Sequence, residues 1–283
     1  MKTFWLLYDE GDYEKNRAFA ALFEQEGKKR GLRMTLRLLT DLRWGVREGR
    51  AFVEARDGAP LPDFAVSRCR DALLLHALEG CGVPVFNSAL ACEVCNDKQK
   101  THQFLTGLDI PMPATVFVPG ARDALWGGER YPLVVKPACS HGGDRVRLCR
   151  TPSEARQALA DIAPMDALLQ RPVSDLGVDK RVYVLFGQIV AAVERRAQGG
   201  AFLANFSQGG AVRLAEVTPR ERELVGRVTS RLPLALAGVD FLYENGSPVL
   251  SELEDVVGCR MLYRVSDIDI VAEYLDAILE RLL

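Results

Sequence analysis

The chain has 283 residues, 48% of them apolar, with 36 basic and 38 acidic side chains. That length suits two or three packed subdomains, and the apolar share is ordinary for a soluble globular protein. The near-balance of charge argues against nucleic acid or an anionic membrane as the main partner.

The apolar run Phe4-Trp5-Leu6-Leu7-Tyr8 reads as a buried strand. It is too short for a signal peptide or a membrane span and stops at Asp9 and Glu10. A helical pattern follows with Phe19, Leu22 and Phe23 on one face, ending near Gly31. The basic stretch Lys28-Lys29-Arg30, with Arg33 and Arg37, reads as a solvated helix end favoured by the macrodipole. Met34 to Leu39, Phe64 to Val66 and Val83 to Phe86 read as strands, with a helix from Asp71 to Leu78 that ends at Gly80. Strands alternating with helices predict a small parallel α/β domain over residues 1–93. Ser88 caps a helix toward Cys95, and Asn96 is expected to cap the next one, Asp97 to Leu105. Cys92 and Cys95 lie on one apolar helical stretch and read as core packing. Seven scattered cysteines fit a reducing cytoplasm better than a disulfide framework.

Ile110-Pro111-Met112-Pro113 is a stiff connector. Beyond it strands dominate: Ala114 to Val118, Pro132 to Lys136, Arg145 to Cys149, Ala167 to Gln170, Arg181 to Phe186 and Gln188 to Arg195. A helix from Pro152 to Ile162 opens with a capping-box pattern, Thr151 and Glu154. A second helix spans Pro219 to Leu232, a hairpin Val239 to Glu254, and an amphipathic helix Ile268 to Leu283. Residues 94–169 and 170–283 are expected to form two further subdomains.

Lys136 closes an apolar strand, where an ammonium is expensive unless something anionic meets it. A lysine snorkelling to solvent would look the same, but the next segment, Ser140-His141-Gly142-Gly143-Asp144, favours a ligand. A Gly-Gly turn there can fold backbone N–H groups over phosphate oxygens. It is not a Walker loop, since no Lys-Ser or Lys-Thr follows the glycines. His102 is expected on a helix surface and His141 in the glycine loop. The hairpin carries Asp240 on one strand and Glu252 and Glu254 on the other. Two residues apart, the glutamates point the same way. If Asp240 lies opposite Glu252, three carboxylates converge into a site that Mg²⁺ would neutralise. A two-residue Asn245-Gly246 turn would pair Asp240 with Ser251 and turn Glu252 away. A three-residue loop that includes Ser247 would pair Asp240 with Glu252, and this is the register expected. Arg195, at a strand end, can stabilise anionic charge developing in acyl or phosphoryl transfer.

The ordered set Asn96-Asp97-Lys98, Ile110 to Thr115, Val134 to Pro137, Leu169 to Pro172, Gly177 to Arg181, Glu194-Arg195, Asn205, Gly238-Val239-Asp240 and Glu252 resembles the RimK-like amino-acid ligases of the ATP-grasp superfamily. Arg68, after Pro62-Asp63-Phe64, and Leu78 to Asn87 match the N-terminal part of that pattern. The resemblance implies an ATP-grasp fold, α+β in its catalytic part, behind an N-terminal α/β pre-ATP-grasp domain. It implies an ADP-forming carboxylate–amine ligase working through an acyl phosphate on an amino acid or peptide, in the cytoplasm, with a homo-oligomer compatible with the family. ATP would be held by Lys98 and Lys136, covered by Gly142 and Gly143, faced by Gln170, Arg171, Pro172 and Val173, and met by Asp179 and Asn205. Asp240, Glu252 and Glu254 would hold Mg²⁺, or Mn²⁺ in its place, and Arg195 and Lys136 would act in catalysis. Two other classes use the same residues: a nucleotide-binding protein without ligase activity, and an ATP-grasp kinase of small molecules. Glu254 stands where the family has asparagine. Leu203-Ala204-Asn205 lacks an arginine usual there, and residues 254–260 replace an asparagine- and proline-containing loop beside the acceptor.

Overall fold

The computed structural model describes residues 1–122, 125, 127, 129–197, 202 and 211–283. Strand β1 (Thr3–Tyr8) leads into helix α1 (Glu10–Lys29) and strand β2 (Arg33–Leu38). The hairpin β3 (Leu42–Arg47) and β4 (Arg50–Ala55) follows, then β5 (Phe64–Ser67), α2 (Ala72–Gly80) and β6 (Val85–Phe86). The first sheet is parallel in the order β2-β1-β5-β6. Both its faces are covered, which is why β1 is an unbroken apolar run. Phe4, Leu6 and Tyr8 pack with Phe19 and Phe23 of α1, and Trp5 and Leu7 with Leu74, Leu75 and Leu78 of α2. The β3–β4 hairpin was not anticipated from the pattern. Its Val53 and Ala55 join the α2 face. The basic stretch also divides: Lys28 and Lys29 are solvated, but Arg30 is clamped by Glu26 and Asp276. Arg37 is buried over the Trp5 ring and paired with Asp57 at 2.9 Å.

Helices α3 (Ala89–Cys95) and α4 (Lys98–Phe104) precede β7 (Thr115–Val118), β8 (Leu133–Pro137), β9 (Arg147–Cys149), α5 (Pro152–Ile162) and β10 (Ala167–Gln170). These four strands form an antiparallel sheet in the order β7-β10-β8-β9, with α5 on one face. Asp97, not Asn96, caps α4: its carboxylate accepts from the Gln99 and Lys100 amides, while Asn96 closes α3. Thr151 caps α5, but Glu154 accepts from the Arg150 amide rather than completing the box.

The last sheet has five strands, β11 (Val178–Leu185), β12 (Gln188–Arg196), β13 (Ala211–Leu214), β14 (Leu236–Glu244) and β15 (Ser247–Glu254), in the order β13-β12-β11-β14-β15. Helix α6 (Pro219–Arg231) opens with a complete capping box of Thr218 and Glu221. Helices α7 (Arg260–Val265) and α8 (Ile270–Arg281) end the chain. One face of this sheet shares a continuous apolar core with the first sheet, joining Tyr183, Val193 and Leu236 to Phe4, Phe23 and Tyr274. The other face packs on α6 and receives Val94, Cys95, Leu105 and Ile110. The cut expected at residue 94 therefore separates sheets but not cores. Cys92 and Cys95 are buried, as core packing requires.

The β14–β15 hairpin departs from the expected register in its turn and recovers it in its strand. Glu244 pairs with Ser247, so the loop has two residues, with Asn245 at φ 50° and Gly246 at φ 76°, the left-handed pair that a tight hairpin needs. A β-bulge at Ser251 then shifts the phase: Phe241 faces Leu250, but Asp240 faces Glu252 and Gly238 faces Glu254. Leu250 and Leu253 both reach the core, three residues apart, which strict alternation forbids and one extra residue permits.

Asn87 fastens the two large sheets. Its side chain donates to the carbonyls of Leu236 (2.7 Å) and Asp255 (2.8 Å) and accepts from the Ala235 amide (2.6 Å), all buried. Asn87→Ala leaves these groups unpaired and is expected to lose about 3 kcal/mol. The loss is read as a lower urea midpoint at constant slope; an unmoved midpoint would contradict it.

Candidate active site

Between the four-stranded and five-stranded sheets lies a cleft of about 900 Å³. Its lining brings together Lys98, Lys136, Gly143, Gln170, Arg171, Pro172, Val173, Asp179, Arg195, Asp240 and Glu252, although they are spread over residues 98–252. Lys136 projects from the fully buried strand β8. Burial and the neighbouring Lys98 ammonium push Lys136 down to about 8, against a smaller upward pull from Glu252. Lys98, in the first turn of α4, donates to the Ser140 carbonyl at 2.7 Å and lies 3.4 Å from Glu252. Among the described residues no carboxylate closes an ion pair on Lys136. Two buried ammonium groups side by side are stable only if an anion is meant to join them.

The loop after β8 follows this pair. Gly142 and Gly143 have φ 64° and 78°, a left-handed run that glycine adopts without steric penalty. On the adjoining wall, the Gln170 amide donates to Thr115 Oγ1 at 2.7 Å and lies 3.4 Å from His102 Nε2. His102 is thus buried rather than on a helix surface. Burial, then Lys136 and Lys98, push its imidazole down to about 4, so it is neutral at physiological pH.

The floor of the cleft is a buried ion lattice built by strand register. Asp179 faces Arg195, and Arg181 faces Asp240, as direct cross-strand partners. Arg181 donates twice to Asp240, at 2.8 and 2.7 Å, and reaches Glu254 at 2.7 Å. Arg195 donates to Asp240 at 2.8 Å and to Asp179. Both arginines are buried. Gly238 makes room, since a Cβ there would stand 2.9 Å from Val257 and 3.2 Å from the Arg181 side chain. Burial disfavours charge on Asp240, but Arg181 and Arg195 outweigh it and hold the carboxyl down to about 2. Asp179 goes the other way, to about 6, because burial outweighs Arg195. Burial also raises Glu254 above the usual carboxylate range, with Arg181 opposing.

Oxygens of Asp240, Glu252 and Glu254 lie within 4.8 Å of one another, an all-oxygen set that fits a hard divalent cation. The three differ in what they can still give. A carboxylate offers about four lone-pair sites, and Asp240 already accepts three arginine hydrogen bonds. Glu254 meets Arg181 alone and Glu252 meets only Lys98, among the described residues. Asn205 lies outside the described residues, as do Leu203 and Ala204. Gly142 and Glu254 border the cleft without lining it. Arg181 and Ser140 were missed from sequence. Period-two alternation already puts Arg181 on the face of Asp179, and only the unknown pairing of β11 with β14 hid its partner.

A cleft between two antiparallel sheets, with Lys136 on one, carboxylates on the other and Lys98 on a helix between them, behind a parallel α/β unit, defines an ATP-grasp protein. Residues 95–278 match the RimK-like ATP-grasp domain, and the chain belongs to that family. It is 32% identical over 207 residues, 70% of this chain and 68% of the other, to a ribosomal protein bS6–L-glutamate ligase from Shigella boydii. It is 29% identical over 243 residues, 80% of each chain, to a probable alpha-L-glutamate ligase from Legionella pneumophila. The fold is similar to the D-alanine–D-alanine ligase of Bacillus anthracis complexed with ATP, with a TM-score of 0.78 and 15% identity, covering 100% of this chain and 97% of that one. Among the described residues no helix is long and apolar enough to cross a membrane.

Immediately after Glu254, Asp255 is 2% exposed. Burial pushes it up to about 6, against the pull of Arg70, Asn96 and Arg68. A carboxyl whose folded pKa lies above its unfolded value is held against its preference once ionised, so it costs stability above about pH 6 and ceases to do so below the unfolded pKa of about 4. Asp255→Asn is therefore expected to stabilise the free protein at pH 7 by on the order of 2 kcal/mol. The gain should fade as pH falls from 6 to 4 in a urea-melt series; a pH-independent difference would contradict it.

Proposed function

We propose that this protein is an ATP-dependent, ADP-forming carboxylate–amine ligase, with the nucleotide between the four-stranded and five-stranded sheets. The observation that carries this reading is the pair of neighbouring buried ammonium groups, Lys98 and Lys136, beside Glu252 in one cleft with Glu254 at its border. Lys98 and Lys136 hold phosphate oxygens, and the Gly142-Gly143 turn covers them. Gln170 to Val173 face the base, with Asp179 on the remaining side of the nucleotide. Subdomains at 1–93, 94–169 and 170–283 follow the three sheets, with α3 and α4 packed against the last.

The substrate carboxylate attacks the γ-phosphorus and ADP departs, leaving an acyl phosphate. The amine then attacks the acyl carbon, the C–O bond to phosphate breaks, and an amide and inorganic phosphate remain. Lysines on one flank offset the mutual repulsion of carboxylate and triphosphate. Arg195, fixed by Asp179 and Asp240, presents a preorganised cation to the anionic second step. Glu252 and Glu254 would chiefly hold a divalent cation, which would supply charge neutralisation when bound; Mg²⁺ suits this donor set, and Mn²⁺ accepts the same donors. Asp240, with three acceptor sites taken by Arg181 and Arg195, has one left to offer. The glutamate ligases it is similar to support an amino acid or peptide as substrate.

Offering pairs of amino acids with MgATP, measuring ADP, and weighing products by mass spectrometry tests the reading. An amide with one ADP each is expected. Nucleotide binding without ADP release would reject the ligase, and a phosphorylated product without amide would make it a kinase. Lys136→Ala and Glu252→Gln should each lower turnover by roughly two orders of magnitude or more, the scale of losing a charge-stabilising group. Asp240→Asn should do so as well, with a loss of stability that Glu252→Gln does not share, since only Asp240 anchors two buried arginines. Wild-type turnover in Lys136→Ala would remove that residue from the mechanism.

Nucleotide binding should also take up a proton. Lys136, at about 8 when free, is raised by an adjacent phosphate anion. Between about pH 8 and 10 the binding enthalpy should therefore depend on the ionisation enthalpy of the buffer, and Lys136→Met should abolish the dependence.

A further inference from the structure

The glycine loop joins β8 to β9 over residues 138–146, and a single residue ties down its base. The backbone N–H of Lys98 donates to the Ala138 carbonyl at 3.0 Å, and the Lys98 ammonium donates to the Ser140 carbonyl at 2.7 Å. Ala138 and Ser140 are buried, while Cys139 between them is exposed. Lys98 is itself well held: Asp97, the residue before it, caps α4, and the Lys98 side chain is buried.

Beyond Ser140 the loop turns on itself. Asp144 N–H bonds the His141 carbonyl and Val146 N–H bonds the Gly143 carbonyl, each at 3.2 Å, and Gly143 and Val146 line the cleft. Local turns of this kind fix the shape of a loop but not its position over a ligand. The two bonds from Lys98 supply that position. An ammonium has three donors. Ser140 takes one, and Glu252 lies 3.4 Å from the nitrogen, so at least one remains for a phosphate oxygen. Holding the loop and holding phosphate therefore do not compete. Lys136, on β8, has no hydrogen bond from its ammonium to this loop among the described residues.

Resting on the reading that the Gly142-Gly143 turn covers phosphates, we propose that Lys98 is a positioning residue for that turn. It presets the loop in the nucleotide-free protein and keeps a donor in reserve for the phosphate. The two lysines of the wall are then unequal: Lys136 meets the ligand alone, whereas Lys98 meets the ligand and its cover. Ordering a loop at the moment of binding lowers affinity, and a loop ordered beforehand avoids that loss.

Amide hydrogen exchange in the nucleotide-free protein tests this, read at Asp144 and Val146. In the wild type both should exchange at least roughly tenfold more slowly than in an unstructured peptide. Lys98→Met should speed both by roughly tenfold or more, the scale of losing a hydrogen bond from a charged group. Lys136→Met should leave them at the wild-type rate, and Lys98→Arg, which keeps a charged donor, should restore part of the protection. With a non-hydrolysable ATP analogue and Mg²⁺, both methionine variants should bind more weakly, but only in Lys98→Met should binding slow the loop back toward its wild-type rate. Amides of β11 and β14, unchanged in every variant, certify the fold. Wild-type loop amides that exchange at peptide rates before nucleotide is added would overturn the proposal, as would a loop loosened equally by the two methionine variants. A loop held by Lys98 in a protein that binds no nucleotide would sustain the clamp and reject the ligase.

Discussion

Asp240 is the point on which the site depends. It accepts three hydrogen bonds from Arg181 and Arg195, and Asp179 and Glu254 complete the lattice from either side. Burying so many charges is tolerable only if each meets its opposite in good geometry, because an unpaired buried ion costs several kcal/mol. The partners sit on β11, β12, β14 and β15, so the lattice closes in one register only. Slipping any of these strands by one residue would turn a charge into the apolar core behind it. The same register that satisfies the ions sets Glu252 in the cleft and Glu254 at its border.

The opposite flank follows the reverse logic. Lys98 and Lys136 are left partly unsatisfied, and His102, neutral beneath them, adds no further charge. Paired charges at the floor and two neighbouring ammonium groups at the wall give the cleft its polarity: the wall draws in an anion, and the charges of the floor are already engaged with one another. In the free protein the buried ammonium of Lys136 is a destabilising element, held in place by the fully buried strand β8.

Much of this was legible in the sequence. Period-two alternation is enough to put Glu252 with Glu254 and Asp179 with Arg181, and an ammonium ending an apolar strand identifies Lys136 without any partner in view. The turn was misread because alternation was assumed to run unbroken through Ser251. The spacing of Leu250 and Leu253 already required a break, since both are large and apolar and cannot reach one core from a regular strand. His102 was misplaced because its neighbours in α4 are polar; only the tertiary approach of β10 covers it. The β3–β4 hairpin was invisible because its cross-strand arginines and Glu54 mask the apolar alternation.

The apolar core shared by the parallel sheet and the five-stranded sheet, with Asn87 riveting them together, makes a single massive block. The small antiparallel sheet keeps a private core with α5. Mechanical compliance is therefore concentrated in the few residues that carry the chain between the two, around Pro111 to Ala114 and Arg171 to Gly177. Arg70 and Asp255 both stand on the block, whereas Ser140 and His141 ride on the lighter piece. Relative movement of the two walls of the cleft would therefore fall on those two connections.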